Sequence, residues 1–179
     1  MTDAVSAADY RRLLEPWPAA MRDHFHTPPG RPDLTCFGPG SNNWGVQTNQ
    51  KALAAVAALA AEEGLDEAHA GMGRDELTDL ALRLLRYSLA SHHSGGGTCT
   101  DGTPWGHTWI SALGVERMMH AVDTLEAALT DADRAALRRM LVSEADWLLD
   151  AYPVVAGLLD NNKPESNLWN GALLHRTAL

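Results

Sequence analysis

Between Val46 and Glu63 the run Ala52-Leu-Ala-Ala-Val-Ala-Ala-Leu-Ala-Ala61 is apolar on nearly every face, which predicts a helix enclosed by protein on all sides. Gly64 is placed to end it. In the next periodic segment Leu77, Leu80, Ala81, Leu84, Leu85 and Ser88 share one stripe opposite Asp79, Arg83 and Arg86, the pattern of an outer helix with one face in water. The order then repeats. Ile110, Val115, Met118, Met119, Val122 and Leu125 mark an inner helix from about His107 to Leu129, with Met118 and Met119 read as gap-filling core. Thr130 is suited to cap a following helix, with Asp131 and Asp133 at its positive end and Leu137, Met140, Leu141 and Leu148 facing the core. A third inner helix begins with Ser166 as its cap and continues through Leu168, Trp169, Ala172 and Leu173.

Ahead of these pairs, Ser6 and Asp9 have the spacing of a capping box, and Tyr10, Leu13, Leu14 and Trp17 follow at helical intervals. A short amphipathic helix from about Ala7 is expected, ended or bent by Pro16 and Pro18. A second helical piece is expected from Ala19 to His26, and an irregular segment from Thr27 to Asn42.

Each inner helix is preceded by a polar loop that carries a tryptophan. Trp44, Trp105 and Trp169 lie 61 and 64 residues apart, the period of an αα-hairpin repeat that brings all three loops to one end. The fold class read from this is all-α, with αα-hairpin repeats over residues 41–179. Residues 1–40 form a helical and irregular segment packed on the repeats, in one domain overall. The third inner helix has no outer partner within the sequence, so its apolar face is expected to be covered by self-association or by a further part of a longer protein.

The loops hold the candidate chemistry. The richest is Gly95 to Trp109, where glycines let the backbone approach a ligand and hold Asp101, Trp105 and His107 between two apolar segments. The first loop supplies Asn42, Asn43 and Trp44, and the third Glu165, Asn167, Trp169 and Asn170. Indoles stack on sugar faces while amides and carboxylates bond hydroxyls, so this inventory suits a carbohydrate.

Composition narrows the partners. A formal charge of -9 with no cluster of lysines or arginines argues against nucleic acid or an anionic membrane. The sequence as given shows no signal segment and no run long enough to span a bilayer, which gives the expectation of a soluble, cytoplasmic chain. Cys36 and Cys99 are too few for a disulfide framework and are read as reduced, partly buried thiols. His24 with His26, and His92 with His93, lack the spacing of a zinc helix, and His107 and His120 are too far apart to share an ion. No metal and no cofactor are expected.

Ser41-Asn-Asn-Trp44, Thr103-Pro-Trp-Gly-His-Thr-Trp109 and Pro164-Glu-Ser-Asn-Leu-Trp-Asn170 resemble the helix-mouth loops of α/α-toroid carbohydrate-active enzymes, most nearly the heparinase II/III-like proteins. The resemblance covers Gly38 to the C-terminus and implies part of an (α/α) toroid, incomplete within these residues. It also implies a polysaccharide lyase that cleaves a uronate-containing glycan by β-elimination, with Asn43 neutralising the uronate carboxylate and His107 transferring a proton. The tyrosine that such lyases also use is missing from the three loops, since Tyr10, Tyr87 and Tyr152 fall elsewhere. Two alternatives stand beside it. A glycoside hydrolase on the same scaffold would use Asp101 and Glu165 as its carboxylate pair. A non-catalytic helical scaffold would bind a ligand through the tryptophan-lined end.

Overall fold

Residues 5–150 and 164–179 are described by the computed structural model; Tyr152 and the first residues of the third loop, Asn161 to Lys163, lie outside them. Among the described residues the chain is all-α apart from a two-stranded ribbon and one bridge. None of the described helices is long and apolar enough to cross a membrane.

Helix α1 (Ala7–Leu14) opens with the expected capping box, Ser6 Oγ accepting from the Asp9 amide and the Asp9 carboxylate accepting from the Ser6 amide. Its stripe is not buried as the periodicity implied: Tyr10 and Leu13 are 66% and 76% exposed. Leu14 and Trp17 carry the contact with the core. The expected helix to His26 is also corrected. Helix α2 (Trp17–Ala20) stops at once and a 3-10 turn follows over Arg22–His24. The strands β1 (Phe25–His26), at the end of the expected helix, and β2 (Cys36–Phe37), within the stretch expected to be irregular, then pair antiparallel, Phe25 opposite Phe37. Tertiary packing decides this, because the ribbon brings Phe25 and Phe37 to 4.9 Å and Phe37 to 5.1 Å from Trp17.

Helix α3 (Trp44–Ala61) is buried over most of its surface, with Leu53, Val56 and Ala57 fully buried, but it is not enclosed on every side as its apolar run predicted: Trp44, Lys51, Ala58 and Ala61 are exposed. It ends at Ala61, before Gly64, and after the short α4 (Glu67–Ala70) the chain returns antiparallel as α5 (Arg74–Ser91). The Arg74 guanidinium donates to the Ala60 and Glu62 carbonyls, tying the start of one helix to the end of the other. Burial forces the polar side chains on the rest of α3 to find partners inside the protein. Asn49 does so completely: its Oδ1 accepts from the Phe37 amide at 2.8 Å, and its Nδ2 donates to the Leu84 carbonyl and to Ser88 Oγ. One side chain thus joins the ribbon, α3 and α5.

Helix α6 (Ser111–Leu125) starts four residues later than the periodicity suggested, because Gly106 (φ 111) and His107 (φ 50) hold the preceding backbone out of helical geometry. It runs parallel to α3. Gln47, in the first turn of α3, donates to the Ile110 carbonyl and accepts from Arg117. Gly114 permits this approach, since a Cβ there would lie 2.1 Å from Gln50 Oε1 and 2.5 Å from Gln47 Nε2.

Helix α7 (Asp131–Asp150) packs more closely on α5 and α8 (Pro164–Ala178) than on α6, the helix it follows. The third inner helix is therefore not left without a partner. It buries Leu173 and lies parallel to α6, with Arg176 reaching Glu116 and Asp123 near the corresponding end. Ser166 is not its cap, because Pro164 takes the first helical position, where the missing amide costs nothing. Ser166 Oγ is buried without a hydrogen-bond partner among the described residues.

Thr130 and Asp133 form a reciprocal cap on α7, each side chain accepting from the other's amide at 3.1 Å. Both Asp133 oxygens also accept from Arg86 of α5 at 2.9 Å, which joins α5 to α7. The Arg86 fork holds the Asp133 carboxyl at about 2, against partial burial, with help from Thr130. The unfolded value is about 3.9, so the unfolded chain takes up this proton first. The pair's contribution is present above about pH 4 and is lost as pH falls toward 2. Its size at neutral pH is on the order of 2 kcal/mol. Asp133→Asn is expected to lower the midpoint of urea unfolding at pH 7 and to differ little from the parent near pH 2, as followed by circular dichroism.

Candidate functional site

The long loop after α5 is folded back on itself by two backbone hydrogen bonds, Trp105 N to the Ser91 carbonyl and His93 N to the Trp105 carbonyl, both 3.0 Å. This places His92 and His93 beside the segment from Trp105 to His107. Gly106 is the contact point. A Cβ on it would fall 2.4 Å from His92 Nε2 and 2.6 Å from Glu144 Oε1, and its φ of 111° also excludes other residues.

Behind Gly106 lies a buried polar cluster. His92 is fully buried, its Nδ1 accepting from the Ser94 amide at 3.0 Å, so that Nε2 carries the proton and donates to Glu144 Oε1 at 2.8 Å. The same Oε1 accepts from the His107 amide at 2.7 Å. Glu144 Oε2 is buried and has no partner among the described residues, an arrangement that costs about 1–3 kcal/mol. The His107 ring is half-buried between His93, stacked at 4.7 Å, and Trp147, stacked at 5.7 Å. Its Nε2 lies 3.2 Å from the Ser143 carbonyl and 2.9 Å from Ser143 Oγ. A carbonyl can only accept, so the neutral ring donates from Nε2 and presents Nδ1 as its basic nitrogen. His93 is held below the usual imidazole range by burial in the stack, and then by its neighbours His107 and His92.

Ligand atoms of His92, His107 and Glu144 all lie within 4.8 Å of one another, close enough for a metal ion. The hydrogen bonds speak for another role. His92 turns a proton toward the centre of the group where a cation needs a lone pair.

The first two loops are joined as the spacing of the tryptophans implied. Asp101 Oδ2 accepts from the Asn42 amide at 3.0 Å, and Oδ1 from the amide and hydroxyl of Thr103. Slight desolvation opposes ionisation, but these hydrogen bonds hold the Asp101 carboxyl below its ordinary value. Its two oxygens are engaged in closing loops. Asn43 is exposed with φ 58°, and its side-chain amide makes no hydrogen bond among the described residues. Asn43 and His107 are the two non-glycine residues at positive φ among those described, a conformation that needs support from the surroundings. Trp44 is 58% exposed with the Lys51 ammonium 6.0 Å from its ring, and Trp109 is also exposed.

Trp105 departs from its expected role. It is 2% exposed, its indole donates to the Ser88 carbonyl, and its ring packs edge-on against His92, so no face is open to a sugar. In the third loop Asn170 is buried, Asn167 and Trp169 are half-buried, and Glu165 is exposed in the first turn of α8. Cys36 and Cys99 are free and buried; burial pushes both thiols up, Cys99 to about 11, which keeps them protonated at neutral pH.

Sequence reading placed His107 in the site and missed Glu144, His92, Ser143 and Trp147. Glu144 sits in a helical segment otherwise read for its leucines, and nothing in its spacing points to a histidine 37 residues earlier. Gly106→Ala is expected to break this cluster and lower the unfolding temperature by several degrees, because neither buried contact can move away. An unchanged melting curve would contradict the close approach. Measured against known protein families, curated proteins and solved structures, the chain matches none.

Proposed function

We propose that the chain is the part of a carbohydrate-active enzyme that carries its proton-transfer site, acting as a polysaccharide lyase on a uronate-containing glycan. The observation that carries this reading is His107: an imidazole fixed by its amide, by its Nε2 and by stacking on His93 and Trp147, an arrangement that leaves Nδ1 to act as the base. Asn43 supplies the second element, an unengaged amide on a loop tied to the histidine loop through Asn42 and Asp101. The shared direction of α3, α6 and α8 supports the wider architecture, in which inner helices of an (α/α) toroid begin at one mouth.

In the proposed reaction His107 Nδ1 takes the proton from the carbon next to the uronate carboxylate. The electron pair of that C–H bond forms the new carbon–carbon double bond, and the glycosidic C–O bond breaks with its pair on the leaving oxygen. That oxygen is protonated by the His107 imidazolium, which returns the ring to its starting form. The Asn43 amide donates to the carboxylate as charge builds on it. Trp44 and Trp109, exposed at the same end, offer surfaces for neighbouring sugars. Neither tyrosine among the described residues enters: Tyr87 is buried and bonded to the Gly40 carbonyl, and Tyr10 lies on α1.

A hydrolase built on Asp101 and Glu165 has less support, since Asp101 is occupied by three donors. The two chemistries leave different products. Uronate-containing polysaccharides incubated with the protein should yield unsaturated chain ends, read by ultraviolet absorbance. His107→Ala and Asn43→Ala should each reduce turnover about 100-fold or more. New reducing ends without unsaturation, abolished by Glu165→Gln, would replace the lyase with the hydrolase. Binding without either product, lost in Trp44→Ala, would leave a glycan-binding scaffold.

A further inference from the structure

The conformation of His107 is not one its own residue type favours. A histidine at φ 50° lies in the left-handed region, and the preceding Gly106 at φ 111° gives it no regular structure to lean on. Apart from His93, stacked on the ring from the loop after α5, what holds it comes from one face of α7. Ser143 meets Nε2, Trp147 stacks on the ring, and Glu144 Oε1 takes the main-chain amide in the shortest of these bonds, 2.7 Å. Glu144 is itself held by the proton on His92 Nε2, and His92 is fixed in turn by the Ser94 amide. The chain of contacts runs from Ser94 through His92 and Glu144 to the backbone of His107.

Glu144 is a poor choice for stability alone. It is a fully buried carboxyl with one oxygen serving two donors and the other serving none, where an apolar side chain would avoid the cost of the orphan atom. Its use is in where it puts Oε1.

Resting on the reading of His107 as the proton-transfer group, we infer that Glu144 is the positioning residue of the site. Through Oε1 it fixes the left-handed backbone at His107 and so aims Nδ1, and His92 sets the place of that oxygen. The place of the oxygen, more than the charge on the carboxylate, is what the site requires.

Two conservative variants of the full chain separate these terms. Glu144→Gln keeps an acceptor oxygen in the same place and removes the charge. Glu144→Asp keeps the charge and draws the oxygen back by about 1.5 Å, one carbon–carbon bond. Two readouts are taken on each: kcat and KM for release of unsaturated product, and the hydrogen-exchange rate of the His107 amide by nuclear magnetic resonance. The Gln variant is expected to keep kcat within about tenfold of the parent and the amide slow to exchange. The Asp variant is expected to lose about 100-fold in kcat, the effect of a misplacement of roughly 1 Å, with KM within about twofold and the amide exchanging faster. An Asp variant as active as the parent, or a His107 amide that exchanges equally fast in all three proteins, overturns the proposal. So does a Gln variant as impaired as Asp, because charge and not place would then matter. If the parent protein forms no unsaturated product, the lyase reading falls by itself and the exchange rates still decide whether Glu144 fixes His107.

Discussion

The burial of most of α3 is the constraint on which the rest of the molecule depends. Apart from the exposed line of Trp44, Lys51 and Ala58, its surface must either be apolar or have each polar side chain satisfied by its neighbours. Its second half is alanine, valine and leucine. Its first half holds Gln47, Asn49 and Gln50, and the partners of the first two fix what surrounds it: β2 and α5 through Asn49, and α6 through Gln47. Gln50 is the exception, with both amide atoms buried and unpartnered against Gly114.

The same logic operates at the loop end with higher stakes, because the groups there are ionisable. His92 and Glu144 are both removed from water, and each is kept in place by donors the other cannot supply: Ser94 for the histidine, the His107 amide for the carboxylate. Gly106 makes this possible by contributing no side chain at the point of closest approach. A strained residue, a glycine that cannot be replaced and a buried carboxyl with an idle oxygen lie together at one position. Cost of this kind is retained where geometry is used for something other than stability.

The contact between α5 and α7 follows a simpler rule. Arg86 and Asp133 close the contact between α5 and α7 with a bidentate pair that also serves as the helix cap. Asp101 joins the loops before α3 and α6 in the same economical manner. Such residues look catalytic in a sequence, since a carboxylate in a glycine-rich loop is what an active site uses. Only the identity of its donors separates a loop latch from an acid or base.

Much of the architecture was legible in the order of residues. The apolar run and the striped segment after it located α3 and α5 as helices, the capping residues Ser6 and Thr130 located two helix starts, and the periodic tryptophans implied that the first two loops lie together. These features are local, or repeat at fixed intervals, and helix periodicity and capping act over a few residues. Long-range contacts decided the rest. Whether Trp105 faces a ligand or the Ser88 carbonyl, whether Ser166 or Pro164 begins α8, and which helix α7 rests on depend on groups tens of residues away. Glu144 is the clearest case, because what makes it matter is an amide 37 residues earlier whose direction is set by two positive φ angles. The sequence determined which segments become helices and which residues could do chemistry; the tertiary structure alone decided which of those residues meet, because hydrogen bonds between distant segments have no period to read.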